Sequence, residues 1–480
     1  MAADPSDRVR HPVQGPNRLL ERGTLDRMHA AGVRMLVETG IQVEHEAVRT
    51  AISKRDGFAL SGGRIRLAER KIAETLACLR EHAAAAPARD PDAALTLGVD
   101  DRASWIVDQD GRSLRPMVRA DVVDSAKLVT MLRDRGVSGS TTGVPTDVPV
   151  PLIPLDQFMI GAEFSREGGS TSDVLDIYTA GVMRDFGRVC GRGFNRSVWN
   201  PSPLILGGAE LDILWHFRDE IDFVCVGSMP IMGMTGPCDP IGVFTLAAAE
   251  CLGNAAIVRE LFPRAGVMIW PHPEPVDMGS GVMVFGTPEW DLLDLMHRDV
   301  HEYYGGRYDQ KMIHTTASLP GVQAVSDHAG SMMLGALCGL TAFTPGGMLA
   351  LDEVWSPALL VIDTEILAHT RRVIQGVSTG EGLGLEELAG VVAEVVREGG
   401  VFGDHETTVA NMRSQYHRPK VLPRMNRAQW ERAGRPDEVR AAQAEADRLI
   451  AGFNYQAPAA MMKELRAIHE KARTELLKRG

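Results

Sequence analysis

The chain has 480 residues, 44% of them hydrophobic, enough for one large core with extensions and too apolar for a disordered polypeptide. Its formal net charge is -12, from 51 Lys+Arg against 63 Asp+Glu, and no basic run stands out, so neither nucleic acid nor a membrane surface is expected as a partner. The 6 cysteines lie apart without a C-x-x-C pair, the first residues carry no apolar leader core, and every long apolar stretch is interrupted by Gly, Pro or charge; free thiols and a cytoplasmic location are expected.

Residues 1–23 are polar and contain Pro5, Pro12 and Pro16, so they read as a flexible arm. From Leu25 the positions Leu25, Met28, Gly32, Met35 and Leu36 keep helical spacing until Thr39-Gly40 supplies a stop. Helices at 44–53 and 68–81 flank a hairpin at Ser61-Gly62-Gly63, and strand-like segments follow at 95–99 and 103–107. Residues 24–118 therefore read as an N-terminal α+β cap without evident chemistry. From Asp121 helical runs alternate with short strands. Candidate strands are 137–143, 170–175, 197–206, 221–229, 265–270, 311–316 and 340–344; the helices between them lie near 121–134, 155–167, 178–190, 209–219, 240–262, 287–303 and 324–338, with one more at 357–376. Such alternation, with one strand overlooked, predicts a TIM (β/α)8 barrel over 119–420, followed by a helical extension over 421–480.

The stretch 221–273 carries the clearest unit. Ile221, Phe223, Val224, Cys225 and Val226 make a strand, and a loop rich in Met, Gly and Pro follows from Ser228 to Pro237. Asp239-Pro240 starts a helix, Pro263 ends it, and Val267-Met268-Ile269-Trp270 is the next strand. In a barrel or an open α/β sheet the ligand lies at the carboxyl ends of such strands. Trp199 and Trp270 fall there, with Tyr178 and Trp355 in adjoining loops, and together they suit an aromatic box for a quaternary ammonium ion. His272, His314 and His328, with Asp147, are the candidate catalytic or carboxylate-orienting side chains.

Asp404-His405-Glu406 reads as a helix start, because three consecutive residues cannot converge on one ion from regular structure. No H-E-x-x-H, Walker A or zinc-type cysteine spacing is present, and Gly380-x-Gly382-x-Gly384 follows no strand, as a dinucleotide fingerprint would. The expectation is that the chain binds no metal and no cofactor of its own.

Several segments together resemble the trimethylamine methyltransferase family, including members that lack pyrrolysine and use glycine betaine or related quaternary amines. They are Val37-Glu38-Thr39-Gly40-Ile41-Gln42-Val43-Glu44-His45, Ser202-Pro203-Leu204, the loop Met229 to Pro237, Val361-Ile362-Asp363-Thr364-Glu365, and Phe402 to Thr408 leading into Met412-Arg413-Ser414. The resemblance implies a barrel that passes a methyl group from an amine to the Co(I) of a corrinoid (cobalamin) carried by a small separate protein. Pyrrolysine-containing members carry that residue in the stretch corresponding to 313–330, which here has only standard residues, so the departure favours a quaternary amine such as glycine betaine, proline betaine or carnitine. A homo-oligomer is expected. Two alternatives remain at this stage: a barrel lyase or hydrolase of a small carboxylate using His272, His314 and Asp147, and a non-catalytic betaine-binding protein.

Overall fold

The computed structural model describes residues 10–11, 18–85, 93–170, 174, 176–378 and 385–479. The unit at 221–273 forms as its punctuation dictates. The strand Phe223–Ser228 ends at the Gly- and Pro-rich loop, the Asp239 carboxylate accepts a hydrogen bond from Gly242 N, and Pro240 opens the helix Pro240–Leu261, here α1. By length and composition α1 could cross a membrane, yet 89% of its apolar window is buried within the protein. It lies between the N-terminal helices Arg22–Arg34 and Glu69–Ala85 on one side and the strands Phe223–Ser228 and Gly266–Pro271 on the other. An all-round apolar helix is stable only where every face is covered, which is the case here.

Short parallel strands recur along the chain: β1 (Thr96–Gly98), β2 (Val137–Ser138), β3 (Asn195–Asn200), β4 (Phe223–Ser228), β5 (Gly266–Pro271), β6 (Gln310–Met312) and β7 (Ala342–Thr344). They form two parallel ladders, β5-β4-β3 and β6-β7-β1-β2. Helices connect successive strands, among them Arg119–Met131, Ile153–Phe164, Ile177–Val189, Glu210–His216, α1, Pro288–Tyr303 (α2) and Val322–Leu337 (α3). The candidate strand at 170–175 lies largely outside the described residues, as does the Gly380 to Gly384 segment. Among the described residues no backbone ladder joins β2 to β3 or β5 to β6, so the architecture is mixed α/β with two parallel ladders rather than a demonstrated closed barrel.

One boundary is corrected. β1 lies within 24–118, yet it is a central strand, hydrogen-bonded to β7 on one side and β2 on the other. The parallel sheet therefore begins at Thr96 and not at 119. Leu95-Thr96-Leu97-Gly98-Val99 looked like an isolated strand because its partners are 137–138 and 342–344, the latter far away in sequence. No strand of the described residues 18–85 joins these two ladders. The apolar side chains Leu36, Ile41, Ile52, Ile65 and Ile72 join the core built on α1, and Ile41–Val43 pairs in parallel with Ile205–Leu206.

The helix Arg22–Arg34 continues as a wider turn over Met35–Thr39 and stops at Gly40, whose φ of +74° is the left-handed conformation that a side chain resists. The hairpin at 61–63 is present, with Gly62 and Gly63 joining Phe58–Ser61 to Arg64–Leu67. Asp404-His405-Glu406 is a helix start, His405 accepting a hydrogen bond from Thr407 N at the head of Glu406–Gln415. The C-terminal helices Glu438–Ala451 and Ala459–Arg479 pack outside the strands, against Pro357–Ile374 and Arg119–Met131 in the first case and Ile177–Val189 and Ile153–Phe164 in the second. A Cβ added at Gly40 would lie 2.4 Å from the Ile65 carbonyl oxygen. Gly40→Ala should therefore cost roughly 2–4 kcal/mol, strain and clash combined. A urea-unfolding midpoint indistinguishable from the parent would contradict this.

Candidate functional site

The carboxyl ends of β4 and β5 stay together beyond the strands. His272 N donates to Ser228 O at 2.8 Å, Glu274 N to Pro230 O at 3.0 Å, and Met232 N to Glu274 O at 2.8 Å. This extended run aims the side chains of His272 and Glu274, two residues apart, to the same side. His272 and His314 flank the indole of Trp290, ring centroids 5.8 and 5.7 Å away, both edge-on. Trp290 is fixed near the start of α2, where Thr287 Oγ accepts its backbone N–H, and Phe285 packs against both Trp290 and His314, at 4.5 and 4.7 Å.

Acidic groups surround His314. Its Nε2 is 2.9 Å from Asp352 Oδ2, and the carboxyls of Glu274 and Asp100 act on it through space. Burial works to lower its pKa, but Asp352 and the other carboxyls outweigh burial and leave it above 6.5. Burial raises the Glu274 and Asp100 carboxyls above their ordinary range. The reach of Asp352 to His314 depends on an unusual backbone: Ala350, Leu351 and Asp352 all have positive φ (50°, 59° and 74°). Three consecutive non-glycine residues in that region mark strain held by the surrounding fold. His314 Nδ1, on the other side of the ring, is buried and finds no hydrogen-bond partner among the described residues.

A second group adjoins through His272. Its Nδ1 lies 2.8 Å from His297 Nδ1 on α2, and its Nε2 is 3.2 Å from Glu274 Oε1. One turn before and one turn after His297 on α2 stand Asp294 and His301. Asp294 accepts the hydroxyl of Tyr308, the ammonium of Lys311 at 3.0 Å and the backbone N–H of Met312 at 3.3 Å. Lys311 is fully buried and also pairs with Asp291 at 2.9 Å; burial works against its charge, and the two aspartates more than restore it, so its pKa lies above 10.5. Burial drives His297 far down and His301 to about 4, so both imidazoles are neutral.

The expected site residues divide. His272 and His314 come together, around Trp290. Trp199 and Trp270 stand on one face of the β5-β4-β3 ladder, each in register with Gly227. The Trp199 ring lies over that glycine and is 44% exposed. Trp270 is turned against His297, His301 and Tyr308, at 5.0, 5.1 and 5.5 Å. The four-sided aromatic box is not assembled. Tyr178 lines a different cavity, with Phe217, Ile468 and Arg479, and the guanidinium of Arg479 covers its ring at 4.1 Å; its strand-end neighbourhood in sequence misled because the helix Ile177–Val189 lies outside the sheet. Trp355 is a core side chain, 1% exposed, whose Nε1 abuts Gly347.

Asp147 is exposed and accepts the backbone N–H of Arg119 at 2.7 Å, a cap for Arg119–Met131 rather than an acid–base partner of the histidines. His328 is fully buried with Asp363 at 2.9 Å, and Asp363 also takes the N–H of Gly347, so this pair braces α3 against the segment after β7. Glu274, Asp294, His297, His301, Lys311 and Asp352 were not anticipated. His297-x-x-x-His301 in an evidently helical stretch was the available signal, because residues four apart share a helix face.

The model of the trimethylamine methyltransferase (MTTB) family matches residues 2–476. The chain belongs to this family. Among curated relatives, the glycine betaine methyltransferase of Desulfitobacterium hafniense strain Y51 is 23% identical over 445 residues, 86% of this chain and 88% of its own. The trimethylamine methyltransferase MttB of D. hafniense strain DCB-2 is 26% identical over 282 residues, 56% of this chain and 54% of its own. Among solved structures, the monomethylamine methyltransferase MtmB of Methanosarcina barkeri aligns over 98% of this chain and 89% of its own, with a TM-score of 0.45 and 12% identity.

Lys311→Met, which keeps the volume but leaves Asp294 and Asp291 without their buried cation, should cost about 3–5 kcal/mol. Denaturant unfolding measures this, and a loss within error of zero would show that the aspartates are neutralised in another way.

Proposed function

We propose that the chain is a methyltransferase whose methyl donor is a betaine-like quaternary amine and whose acceptor is the reduced cobalt of a corrinoid on a separate small protein, and that its two ladders are parts of one (β/α)8 barrel. The observation that supports this reading best is His314. It is buried among aromatic rings, its pKa is raised above 6.5 by Asp352 and the other carboxyls near it, and its Nδ1 has no partner among the described residues. A substrate carboxylate is the natural acceptor for an N–H at that atom, and such a charge-assisted bond contributes about 1.5–3 kcal/mol. The match to a glycine betaine methyltransferase along most of both chains agrees with it.

A quaternary nitrogen needs no proton to leave. The C–N bond breaks with its electron pair going to nitrogen, which departs as a neutral tertiary amine, while the acceptor supplies the pair for its new bond to carbon. Catalysis then rests on alignment of the methyl group with the acceptor and on exclusion of water. Within this reading Trp199, the half-exposed indole at the end of β3, offers the aromatic face to the trimethylammonium group. Met229, Met234 and Met278, exposed around the same strand ends, leave an apolar rim on which the acceptor can approach.

The decisive experiment incubates the protein with Co(I) cobalamin and a panel of glycine betaine, proline betaine, carnitine and choline, following methylcobalamin in the visible spectrum. At least one carboxylated amine should be demethylated; a folded protein inert toward the whole panel would sink the proposal. Trp199→Ala should raise the dissociation constant of the substrate roughly tenfold, the equivalent of about 1.4 kcal/mol. Unaltered binding in that variant would assign the ring to packing.

His314 also predicts a pH dependence. A raised pKa means that the charged form, and the stability it contributes, is fully present below 6.5 and lost as pH rises through the higher folded value. Affinity for glycine betaine should be flat in weak acid and fall above that value, while choline binding stays level. In His314→Gln the glycine betaine profile should flatten, and an unchanged profile would exclude His314 as the donor.

A further inference from the structure

We propose that His272, His297 and Asp294 form a binding site for one divalent transition ion of the zinc class, placed where β5 and β6 lack a shared backbone ladder. The three donor atoms lie within 4.8 Å of one another and all three residues are buried. This proposal is independent of the methyl-transfer reading, and it reverses the expectation that the chain binds no metal.

Proton bookkeeping supports it. A neutral imidazole carries one proton and one bare nitrogen. The two Nδ1 atoms face each other at 2.8 Å, so one of them must hold a proton and the other must accept it. The tautomer pair that best serves the surroundings puts a proton on His272 Nε2, beside Glu274 Oε1 at 3.2 Å, and a proton on His297 Nδ1, pointing at His272. His297 Nε2 is then a bare lone pair in the interior, and it finds no partner among the described residues. The opposite assignment strands a proton there instead and leaves His272 Nε2 bare against an acidic group. Neither arrangement satisfies the pair, and a buried polar atom left unpaired costs about 1–3 kcal/mol.

A metal ends the competition of the two Nδ1 atoms for one proton: both lone pairs face the ion, and the proton that lay between them moves to an Nε2, so both rings stay neutral and none is released. Each ring then keeps its Nε2–H, and that of His272 faces the Glu274 carboxyl, the outer contact that orients metal-bound histidines. Two donors on a tetrahedral ion are roughly 3.3 Å apart, so the rings need separate by only a fraction of an ångström. The donor set also suits the ion. On Asp294, Tyr308 occupies one lone pair of Oδ1, while Lys311 and Met312 N are bound at Oδ2, so Oδ1 retains a lone pair for the ion. Two imidazoles and a carboxylate leave a fourth position open, and zinc, cobalt(II) and iron(II) all accept such a set.

The location assigns the ion a structural part. His272 follows β5, Asp294 and His297 belong to α2, and Asp294 also holds Tyr308 and Lys311 at the start of β6. The ion would clip the edges of the two ladders together through side chains. Being enclosed, it should enter as the chain folds.

The test is metal analysis of the full chain, purified without a histidine tag and after refolding from urea with chelator, then with Zn2+ or Co2+ added. The refolded parent should take up about one ion per chain, and His272→Ala and His297→Gln should fall below about a tenth of that. His216→Gln, at an exposed histidine, should match the parent. The Co2+ form should show visible ligand-field bands of a histidine-ligated site, and the melting temperature should rise with Zn2+ in the parent and in His216→Gln but not in the two ligand variants. If a variant fails to fold, the parent's Co2+ spectrum and Zn2+-dependent melting decide alone. Parent protein that refolds fully, takes up neither ion and melts alike with and without Zn2+ overturns the proposal, as does undiminished uptake in folded His297→Gln.

Discussion

The cation of Lys311, buried without exposure to water and held between Asp291 and Asp294, is the interaction on which the rest of this structure turns. β5 and β6 are edges of different ladders, and an unpaired strand edge in the interior leaves backbone donors and acceptors that water cannot reach. Here side chains carry the seam: Asp294 takes the N–H of Met312, the hydroxyl of Tyr308 and the ammonium of Lys311 at once. Two carboxylates against one ammonium leave an excess of negative charge, which is tolerated because both oxygens of buried Asp294 are bonded and Asp291 is partly exposed and also takes the Ser331 hydroxyl.

This seam also sets the chemistry around it. α2, anchored by Asp294, brings Trp290 and His297 to the ends of the strands, and Trp290 in turn separates His272 from His314. The result is two histidines of opposite character in adjoining groups, linked through the rings of His272 and Trp290. Burial, with His272 and His301 beside it, pushes the pKa of His297 far down, whereas Asp352, Glu274 and Asp100 outweigh burial at His314 and raise its pKa. A charged donor suits a carboxylate, and a neutral lone pair suits a metal. On the neighbouring strands Glu250 plays a comparable bracing part, its carboxyl accepting Ser202 and Ser228 hydroxyls and the N–H of Leu204, which holds the chain after β3 against the end of β4.

Much of the fold was legible from residue order alone. The unit from Phe223 to Pro271 carried its own punctuation in Asp239-Pro240 and Pro263, and six of the parallel strands fall within or beside the expected segments, because a buried parallel strand reads as a short apolar run between turn residues. β1 was assigned to the wrong layer, since strand pairing at long sequence separation leaves no local mark. Of the site, His272 and His314 were legible as polar residues at strand ends. Tyr178, Trp355 and Asp147 were drawn in by the same rule and serve packing or capping instead.

The sequence by itself determined the α/β class, the buried character of Pro240–Leu261, the helix and hairpin ends at Gly40 and Gly62-Gly63, and the family, because each depends on residue type and spacing within a few turns of chain. Only the tertiary structure decided which carboxylates meet which bases. Asp352 reaches His314 from a strained loop, Glu274 reaches His272 from the next extended pair, and Asp294 meets Lys311 across a seam between two ladders. Coulomb energy and desolvation depend on distances and burial that the folded chain alone creates, so the charge states of these groups, and with them the chemistry available, could not be read along the sequence.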